Sequence, residues 1–360
     1  MPEVVLKGVS KRFGCVIAVR NVNLTVGDGE YVTILGPSGC GKTTLIKMVA
    51  GIWEPTEGTI HIDGRDMKGV PIEERGLGYV FQNIALFPHL NVLDNVAYGP
   101  RVRVLGAEYV KSVPTKFLDM VSLLDRMSMF PRELAGGEQQ KVSLARALAS
   151  GARLLLLDEP LSALDSRVRM DLRYELRRLA KDLGLTVVHV THDQEEAMSV
   201  SDRIVLMRNG KIMEIDSPEM LYNQPGHIFT ANFIGETNLL EGTVIGTDDA
   251  TLVELRDGSK VRVERTGFDE GDAVVVSVRP ENVYPREDGL HAEVRRISFM
   301  GTYMRVTAWT DGDECIEFDL SVSESKVYSE GDDVFLHLNG QMAVLFDRPP
   351  EGIMEAIKLE

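Results

Sequence analysis

The chain of 360 residues has few of the features that mark secreted, membrane-spanning or disordered proteins. The cysteines are Cys15, Cys40 and Cys315, too few and too scattered for a disulfide framework or a CxxC metal site, so we expect a reducing compartment. The densest apolar run, Leu154–Leu157, is followed at once by Asp158, whereas a transmembrane helix needs about 20 apolar residues. The first residues also lack the apolar stretch of a secretory signal. Hydrophobic residues make up 44% of the chain, which predicts folded domains rather than disorder.

Basic residues are scarce only in the last third of the chain. Residues 1–235 hold 28 acidic and 27 basic side chains, whereas residues 236–360 hold 27 acidic and 12 basic ones. This change indicates two domains, 1–235 and 236–360. Because the acidic part repels polyanions, we expect no nucleic-acid partner and no electrostatic docking on anionic lipid.

The first 235 residues alternate between apolar strands and amphipathic helices. Leu154–Leu157 and Thr186–Val190 are typical of strands buried on both faces of a sheet, and Ser166–Leu183 between them has helical spacing of its apolar residues. The strand Tyr31–Leu35 likewise precedes a glycine-rich loop and a helix over Thr43–Gly51. We therefore predict an α/β fold with a parallel sheet.

Two regions have other patterns. The pattern of residues from about 89 to 150 predicts a mostly helical insertion. The predicted helices are Val110–Val121, Leu123–Met129 and Gln139–Leu148. After residue 236, Asp-Gly and Asn-Gly turns separate short alternating segments, which predicts an all-β barrel or sandwich. The predicted strands there are Thr251–Leu255, Lys260–Glu264, Ala273–Val278, Ala292–Ile297, Met304–Trp309, Ile316–Leu320, Val334–Leu338 and Ala343–Phe346.

A phosphate-binding loop is the clearest chemical signal. The pattern GxxxxGK[ST] follows a predicted strand and precedes a predicted helix, as phosphate binding requires. Glycines let backbone amides wrap closely around phosphate oxygens, and the helix N-terminus adds a favourable dipole. The lysine can reach the β- and γ-phosphates, and the threonine hydroxyl can ligate Mg²⁺. The residues are Gly36, Pro37, Ser38, Gly39, Cys40, Gly41, Lys42 and Thr43.

Two carboxylates follow the run of four leucines. Asp158 stands at the carboxyl end of a predicted strand, where α/β sheets place ligands, and suits a direct or water-mediated contact with Mg²⁺. Glu159 comes next and can polarise a water for attack on the γ-phosphate. Alone, the pair fits equally well two solvated acids at the end of a buried strand. Its combination with the phosphate loop favours the catalytic interpretation.

Together these motifs resemble the ATP-binding cassette (ABC) family, and the resemblance covers residues 1–235. Leu134–Gln140 (LAGGEQQ) is similar to the LSGGQ signature of that family. Gln82 corresponds to the Q-loop glutamine, Ser162–Asp165 to the D-loop and His192 to the switch histidine. Phe13 corresponds to the aromatic residue that stacks on adenine. Each residue alone is more often structural, but their order and spacing make the resemblance specific.

The resemblance implies a P-loop NTPase core that binds ATP and Mg²⁺ and works as a head-to-tail homodimer. Gly136 and Gly137 of one subunit would cap the nucleotide held by Lys42 of the other. The resemblance also implies nucleotide contacts for the remaining motif residues, which are Thr44, Ala135, Glu138 and Asp165.

The resemblance assigns catalytic roles to three side chains. Glu159 would activate the attacking water, and His192 would contact the γ-phosphate and hold that water. Gln82 would report the nucleotide state to a partner through the Mg²⁺ shell, whose protein ligands would be Thr43, Gln82 and Asp158.

The signature departs from the family pattern at two positions. Ala135 replaces the usual serine, which removes a hydroxyl donor; a hydrogen bond to a charged group is worth roughly 1.5–3 kcal/mol. Glu138 replaces the usual glutamine and adds a negative charge near an anionic ligand. We expect weaker ATP-driven closure and slower turnover than with the usual residues.

The last third indicates an importer subunit. Phe233–Gly242 (FIGETNLLEG) and Ser277–Val283 (SVRPENV) resemble the C-terminal TOBE-type barrel of importer ATPases for polyamines, ferric iron, sugars and oxyanions. The resemblance implies a peripheral subunit on the cytoplasmic face of the membrane, with two integral-membrane permease subunits and, indirectly, an extracytoplasmic solute-binding protein. The apolar stretch within Gln82–Val96 is the expected permease contact.

The solute and the regulation are less well determined. The amino-acid sequence of Phe233–Gly242 favours a polyamine- or iron-type importer over a sugar importer. No Lys/Arg cluster in residues 236–360 indicates a binding site for a regulator. The alternative function is a non-transport cassette ATPase that acts as a regulator or remodeller. A P-loop kinase is disfavoured because it accounts for neither the signature nor His192.

Overall fold

The computed structural model of the chain describes residues 3–103, 106–162, 164–264, 267–324 and 328–359. The chain divides into two compact units, of which the first ends at Pro218 and the second begins at Glu219. This division lies earlier than the change of charge at residue 236.

The first unit contains two sheets and several helices. Its strands are β1 (Val4–Phe13), β2 (Val16–Val26), β3 (Tyr31–Leu35), β4 (Glu57–Ile62), β5 (Arg65–Asp66), β6 (Leu77–Val80), β7 (Leu154–Asp158), β8 (Thr186–Thr191), β9 (Arg203–Arg208) and β10 (Lys211–Asp216). Its helices are α1 (Lys42–Ala50), α2 (Val92–Val102), α3 (Ala107–Met120), α4 (Gly136–Ala149), α5 (Ser166–Asp182) and α6 (Gln194–Val200). In the described residues, no helix is both long and apolar enough to span a bilayer.

The central sheet has the strand order β10-β9-β3-β8-β7-β6 and is parallel except for β10. Every residue of β3, β7 and β8 is buried, as the apolar sequences of these strands predict for a sheet covered on both faces. The expected α/β fold with a parallel sheet is therefore confirmed. Because β6, β7 and β8 are neighbours that run in one direction, the loops after them meet at one edge of the sheet.

A second sheet of order β2-β1-β4-β5 is antiparallel and was not predicted from the sequence. Its long strands β1 and β2 pair with several irregularities in register. Such bulges interrupt the strict alternation of apolar and polar residues that identifies a strand in a sequence.

The region between β6 and β7 is helical, as expected, and α2, α3 and α4 share one core that includes Val96, Leu118 and Leu148. The helix predicted over Leu123–Met129 is wrong, since only a single 3₁₀ turn forms, at Leu124–Arg126. Ser122 adopts the left-handed conformation with φ of 58°, which ends α3 and turns the chain away.

The second unit is an antiparallel β structure with short helices. Its strands are β11 (Asn238–Gly246), β12 (Thr251–Leu255), β13 (Lys260–Val263), β14 (Ala273–Val278), β15 (Val283–Arg286), β16 (Leu290–Phe299), β17 (Met304–Thr310), β18 (Cys315–Leu320), β19 (Asp333–Leu338) and β20 (Val344–Asp347). The helices are α7 (Pro218–Asn223), α8 (Ile228–Phe233) and α9 (Ile353–Ala356). The eight predicted strands are present with small shifts of their ends, whereas β11 and β15 were missed.

Two five-stranded sheets, β13-β12-β11-β14-β20 and β15-β19-β16-β17-β18, enclose one core in this unit. Arg279 anchors the helical segment to the sheets by donating hydrogen bonds to the carbonyls of Tyr222, Ala231, Gly235 and Glu236. This anchor, together with contacts of α8 to Val344 and Phe346 in β20, explains why the helices belong to the β unit rather than to the first unit.

A histidine of the second sheet of this unit contacts an acidic residue on β19 and another in the turn after β17. His291 on β16 lies 2.9 Å from an Asp311 carboxylate oxygen through Nδ1 and 3.2 Å from an Asp333 carboxylate oxygen through Nε2. The hydrogen bond to Asp311 is the main cause that raises the pKa of His291 above its usual value, and Asp333 adds to it. A proton on His291 therefore stabilises the folded state.

We expect this contribution to depend on pH. Because the folded-state pKa lies above the unfolded value of about 6.5, the stabilisation is complete below that pH and is lost as the pH rises through the folded-state pKa. His291→Asn should therefore lower the melting temperature at pH 6 but hardly at pH 9. His337→Asn, at an exposed position on β19 of the same sheet, provides the control for replacing a surface histidine. An equal loss for His291→Asn at pH 6 and pH 9 would contradict the assignment.

Candidate nucleotide-binding site

The glycine-rich loop lies between β3 and α1, at the carboxyl edge of the central sheet. A Cβ on Gly36 would stand 2.2 Å from the carbonyl oxygen of Met207, and one on Gly41, whose φ is 106°, would stand 2.3 Å from that of Ala18. These two positions therefore require glycine. The carbonyl of Cys40 also accepts a hydrogen bond of 3.0 Å from the amide of Gly210, which ties the loop to the turn after β9.

The lysine of the loop is buried at the first position of α1. The Lys42 ammonium donates hydrogen bonds of 2.8 Å to the carbonyls of Gly36 and Pro37 and lies 3.8 Å from the Cys40 sulfur. Burial raises the pKa of the Cys40 thiol, although the Lys42 charge opposes this, so the thiol is neutral. The loop thus folds around the Lys42 ammonium, which bonds to two of its carbonyls.

Thr43 and Asp158, which the sequence analysis assigns to a magnesium site, contact each other. The Thr43 hydroxyl donates a 3.1 Å hydrogen bond to one Asp158 oxygen, and the Tyr79 hydroxyl donates one of 3.0 Å to the other. Burial, reinforced by the Asp158 charge, raises the pKa of Tyr79, which stays a neutral donor. The sequence analysis missed Tyr79, because nothing in its position within β6 distinguishes it from a packing residue.

Glu159 is the point at which three loops meet. Its side chain accepts a 3.0 Å hydrogen bond from the Gln82 amide, and the same oxygen lies 3.4 Å from His192 Nδ1. The backbone at Glu159 is left-handed, with φ of 47°, a conformation that costs free energy and is common at functional sites. Its amide donates to the Val190 carbonyl, so β7 and β8 remain joined beyond the last residue of β7.

Oxygen atoms near the loop form a suitable donor set for a hard cation. The Thr43 hydroxyl and the Asp158 carboxylate are in contact, and Gln82, whose amide nitrogen bonds to Glu159, also carries an amide oxygen. Mg²⁺ prefers a few protein oxygens together with waters and phosphate oxygens, and these residue types fit that preference.

Phe13 lies outside this cluster, at the end of β1. Its ring centroid is 5.0 Å from that of Trp53 in an edge-on arrangement, and the Lys11 ammonium lies 5.2 Å from the ring centre. The ring is 42% exposed, so part of it is accessible to a ligand. Trp53 is a further residue that the sequence analysis missed.

The signature residues start α4 and contact other parts of the chain. Ala135 and Gly136 are exposed, whereas a Cβ on Gly137 would lie 2.8 Å from the Val168 side chain on α5. Glu138 folds back onto its own helix, where it accepts a 2.9 Å hydrogen bond from the Ala135 amide and lies 3.6 Å from Arg126. Its charge is thus used at the positive end of α4 and partly neutralised.

The remaining predicted residues take up helix-start positions. Thr44 lies in the first turn of α1. Asp165 caps α5 by accepting a 3.0 Å hydrogen bond from the Val168 amide, while Ala163 in the same motif lies outside the described residues. Among the other predicted residues, Lys42 bonds within the glycine-rich loop, Thr43 contacts Asp158, and Gln82 and His192 both contact Glu159, the residue after Asp158. The contacts described above for Phe13, for Asp165 and for Ala135–Glu138 are made elsewhere.

Family models match both units of the chain. The model described as ABC transporter matches residues 19–162, and the model described as TOBE domain matches residues 276–346. The solved dimeric structure of the ATP-binding cassette MJ0796 bound to ADP and Pi is 33% identical, covers 60% of this chain and 98% of that one, and gives a TM-score of 0.55. A second dimeric MJ0796 structure gives a TM-score of 0.54.

Curated relatives match over most of their length. The spermidine/putrescine import ATP-binding protein PotA of Acetivibrio thermocellus is 38% identical over 337 residues, which are 93% of each chain. PotA of Methylococcus capsulatus is 45% identical over 78% of this chain and 74% of its own. With the phosphate loop and the Glu159 cluster in place, these similarities lead to one conclusion: the chain belongs to the ATP-binding proteins of ABC transporters, which hydrolyse ATP to drive transport.

Proposed function

We propose that the chain energises a membrane importer of the polyamine type as an ATP-sandwiching homodimer. The observation that carries the proposal is that Gln82 and His192 meet on Glu159, the residue that follows the Asp158 bonded to Thr43. Three loops from neighbouring strands contribute these groups, so a triphosphate bound by the glycine-rich loop would contact all of them.

Nucleotide binding exchanges protein acceptors for phosphate oxygens. The Lys42 ammonium now bonds to the carbonyls of Gly36 and Pro37, and phosphate oxygens are stronger acceptors because they are charged. The amides of the loop and of the first turn of α1 supply the remaining donors. The exposed ring of Phe13 takes the base, a contact that tolerates different bases and therefore sets affinity more than selectivity.

The metal site is proposed at Thr43, Asp158 and Gln82. When bound there, Mg²⁺ supplies positive charge that offsets the charge on the transferred phosphoryl group. Tyr79 orients the Asp158 carboxylate by its hydrogen bond, which leaves that carboxylate fixed relative to the loop.

Glu159 is the proposed base for the attacking water. One of its oxygens contacts both Gln82 and His192, which holds the carboxylate in place between the three loops. His192 is 53% exposed and can turn toward the γ-phosphate, where it holds the water that Glu159 deprotonates.

The proposed dimer places the signature of one copy over the loop of its mate. Its support is that Ala135 and Gly136 are exposed at the start of the 14-residue helix α4. The similar cassette MJ0796 is itself dimeric. Asp165, at the start of α5, belongs to the same proposed interface.

A membrane partner is proposed to bind the segment between β6 and α2. Asn95, which is fully buried, shapes this segment through hydrogen bonds with the Phe87 amide and with the carbonyls of Phe87, Leu90 and Asn91. The Phe87 ring packs 4.4 Å from that of the exposed Tyr98. A rigid, partly apolar surface of this kind suits a short helix from a permease.

The solute is proposed from the relatives. Curated relatives that are 36–45% identical are named spermidine/putrescine import ATP-binding proteins, which favours polyamines over iron or sugars. Two permease subunits and, indirectly, a solute-binding protein complete the importer, and the chain acts on the cytoplasmic face of the membrane.

Glu159→Gln tests the catalytic assignment. The amide keeps the size of the side chain and can still bond to Gln82 and His192, but it cannot take a proton from water. We expect ATP binding to persist, hydrolysis to fall by at least about 100-fold, and ATP-dependent dimers to accumulate in size-exclusion chromatography. Full hydrolysis by this variant would exclude Glu159 as the base, and ATP-bound monomers alone would exclude the sandwich.

Ala135→Ser combined with Glu138→Gln tests the altered signature. Serine adds a cap for α4 worth about 1 kcal/mol and a donor for the γ-phosphate, while glutamine can still accept from the residue 135 amide without the charge. The double variant should hydrolyse ATP several-fold faster than the native chain. Glu133→Gln is the matched control, since Glu133 makes the same contact with the Phe130 amide one turn earlier. Equal rates for the double variant and the native chain would refute the expectation.

Detergent extraction of the tagged chain tests the importer assignment. An integral-membrane protein should co-purify with the native chain and with Tyr174→Ala, whose side chain is exposed on α5, but less with Tyr98→Ala. Vesicles that contain the purified complex should take up labelled spermidine when ATP is supplied on the side of this subunit. Recovery of only soluble partners would favour the alternative, a regulator or remodeller.

A further inference from the structure

One guanidinium bridges two segments that carry site residues. Arg169, in the first turn of α5, donates a 3.0 Å bond to the Asp193 carboxylate and a 2.9 Å bond to the Leu164 carbonyl. Asp193 directly follows His192, and Leu164 directly precedes Asp165. The two bonds use different Nη atoms, and the buried Nε has no hydrogen-bond partner in the described part of the chain, so these contacts orient the group.

The Asp193 end of this bridge is firmly held. One carboxylate oxygen accepts from the Glu196 amide and caps α6, and the Asp193 amide donates to the Thr191 hydroxyl. Arg173 forms a second ion pair, of 2.8 Å, with the same Asp193 oxygen that Arg169 contacts. Partial burial alone would raise the pKa of Asp193, but the Glu196 amide and the two guanidinium groups hold it below its ordinary value. The carboxylate is therefore charged at neutral pH.

The Leu164 end of the bridge leads to the proposed dimer surface. Asp165 caps α5 through the Val168 amide, and the Val168 side chain fills the space against Gly137 of α4. The first turn of α5 thus touches the start of the signature helix on one side and the His192 segment on the other. Arg173 bonds to Asp193 and Glu195 but not to the Leu164 carbonyl, so Arg169 alone of the two makes the bridge.

We propose that Arg169 is a positioning residue that couples the His192 segment to the Asp165 segment, so that a nucleotide which orders one also orders the other. The proposal rests on the proposed function, because Asp165 is there assigned to the surface that faces the partner copy. Arg169 itself contacts no nucleotide. The coupling depends on the planar fork of arginine, which reaches two acceptors at once, whereas a lysine ammonium is a point charge on a flexible stem.

Amide hydrogen exchange of the full-length Glu159→Gln chain, measured with and without ATP, tests the coupling directly. In this parent variant, which keeps Arg169, ATP should slow amide exchange in both segments, 190–194 and 164–168. Arg169→Lys, which keeps the charge beside Asp193, should retain the protection of 190–194 and lose most of that of 164–168. Arg178→Ala, on the exposed face of the same helix, is the control and should behave like the parent.

Steady-state kinetics with Glu159 intact provides the second readout. Arg169→Lys and Arg169→Ala should each lower kcat about tenfold and leave KM for ATP within about twofold, because the lost contact acts on the closed dimer and not on the bound nucleotide. If Arg169→Ala does not fold, the kcat of Arg169→Lys alone tests the coupling. A native melting temperature of Arg169→Lys would show that this variant is folded.

The outcomes separate this inference from the proposed function. ATP-dependent protection of both segments in Arg169→Lys, together with an unchanged kcat, would overturn the coupling. If Arg169→Lys keeps the full kcat of the native chain while Arg169→Ala loses it, Arg169 serves only to neutralise Asp193. That result would also overturn the proposed coupling. Absence of any ATP-dependent protection in the parent would instead remove the dimer on which the inference rests.

Discussion

The site depends on the parallel register of three neighbouring strands in the central sheet, which are β6, β7 and β8. Asp158 pairs with Val190 and Leu157 with His189, so β7 and β8 end together, and the Glu159 amide extends the pairing by one more hydrogen bond. Because side chains alternate between the faces of a strand, a slip of one residue would exchange the two faces and separate Asp158 from Thr43. The buried leucines and valines of these strands oppose such a slip, since it would disturb the packing on both faces.

The charged groups of the site are satisfied within the chain. Lys42 bonds to loop carbonyls, Asp158 accepts from Thr43 and Tyr79, and Glu159 contacts Gln82 and His192. Buried charges without partners would be costly, so these hydrogen bonds and ion contacts stabilise the arrangement of the loops that carry Lys42, Asp158 and Glu159.

Helix starts organise the rest of the cassette. α1 begins at the phosphate loop, α4 at the signature, α5 at Asp165 and α6 just after His192. The first turns of α5 and α6 share Asp193 through Arg169 and the Glu196 amide. Each start leaves backbone amides without helical partners, so these positions suit anions, capping carboxylates or a contact with a second chain.

The amino-acid sequence by itself determined the phosphate loop, the buried strands and the order of the motifs. These depend on local patterns: glycine spacing, runs of leucine or valine, and residues that follow a strand directly. It also placed eight strands of the second unit through their turns. It did not reveal the antiparallel sheet of β1, β2, β4 and β5, whose bulged strands obscure alternation, or the end of α3 at Ser122.

Only the tertiary structure decided which distant residues meet. Tyr79 on Asp158, Trp53 on Phe13 and Arg169 between Leu164 and Asp193 are contacts between segments far apart in the sequence or on different elements. The signature sequence likewise did not predict that the Glu138 side chain folds back onto its own helix. Such contacts depend on strand order and helix packing, which bring side chains together through the fold rather than through their spacing along the chain.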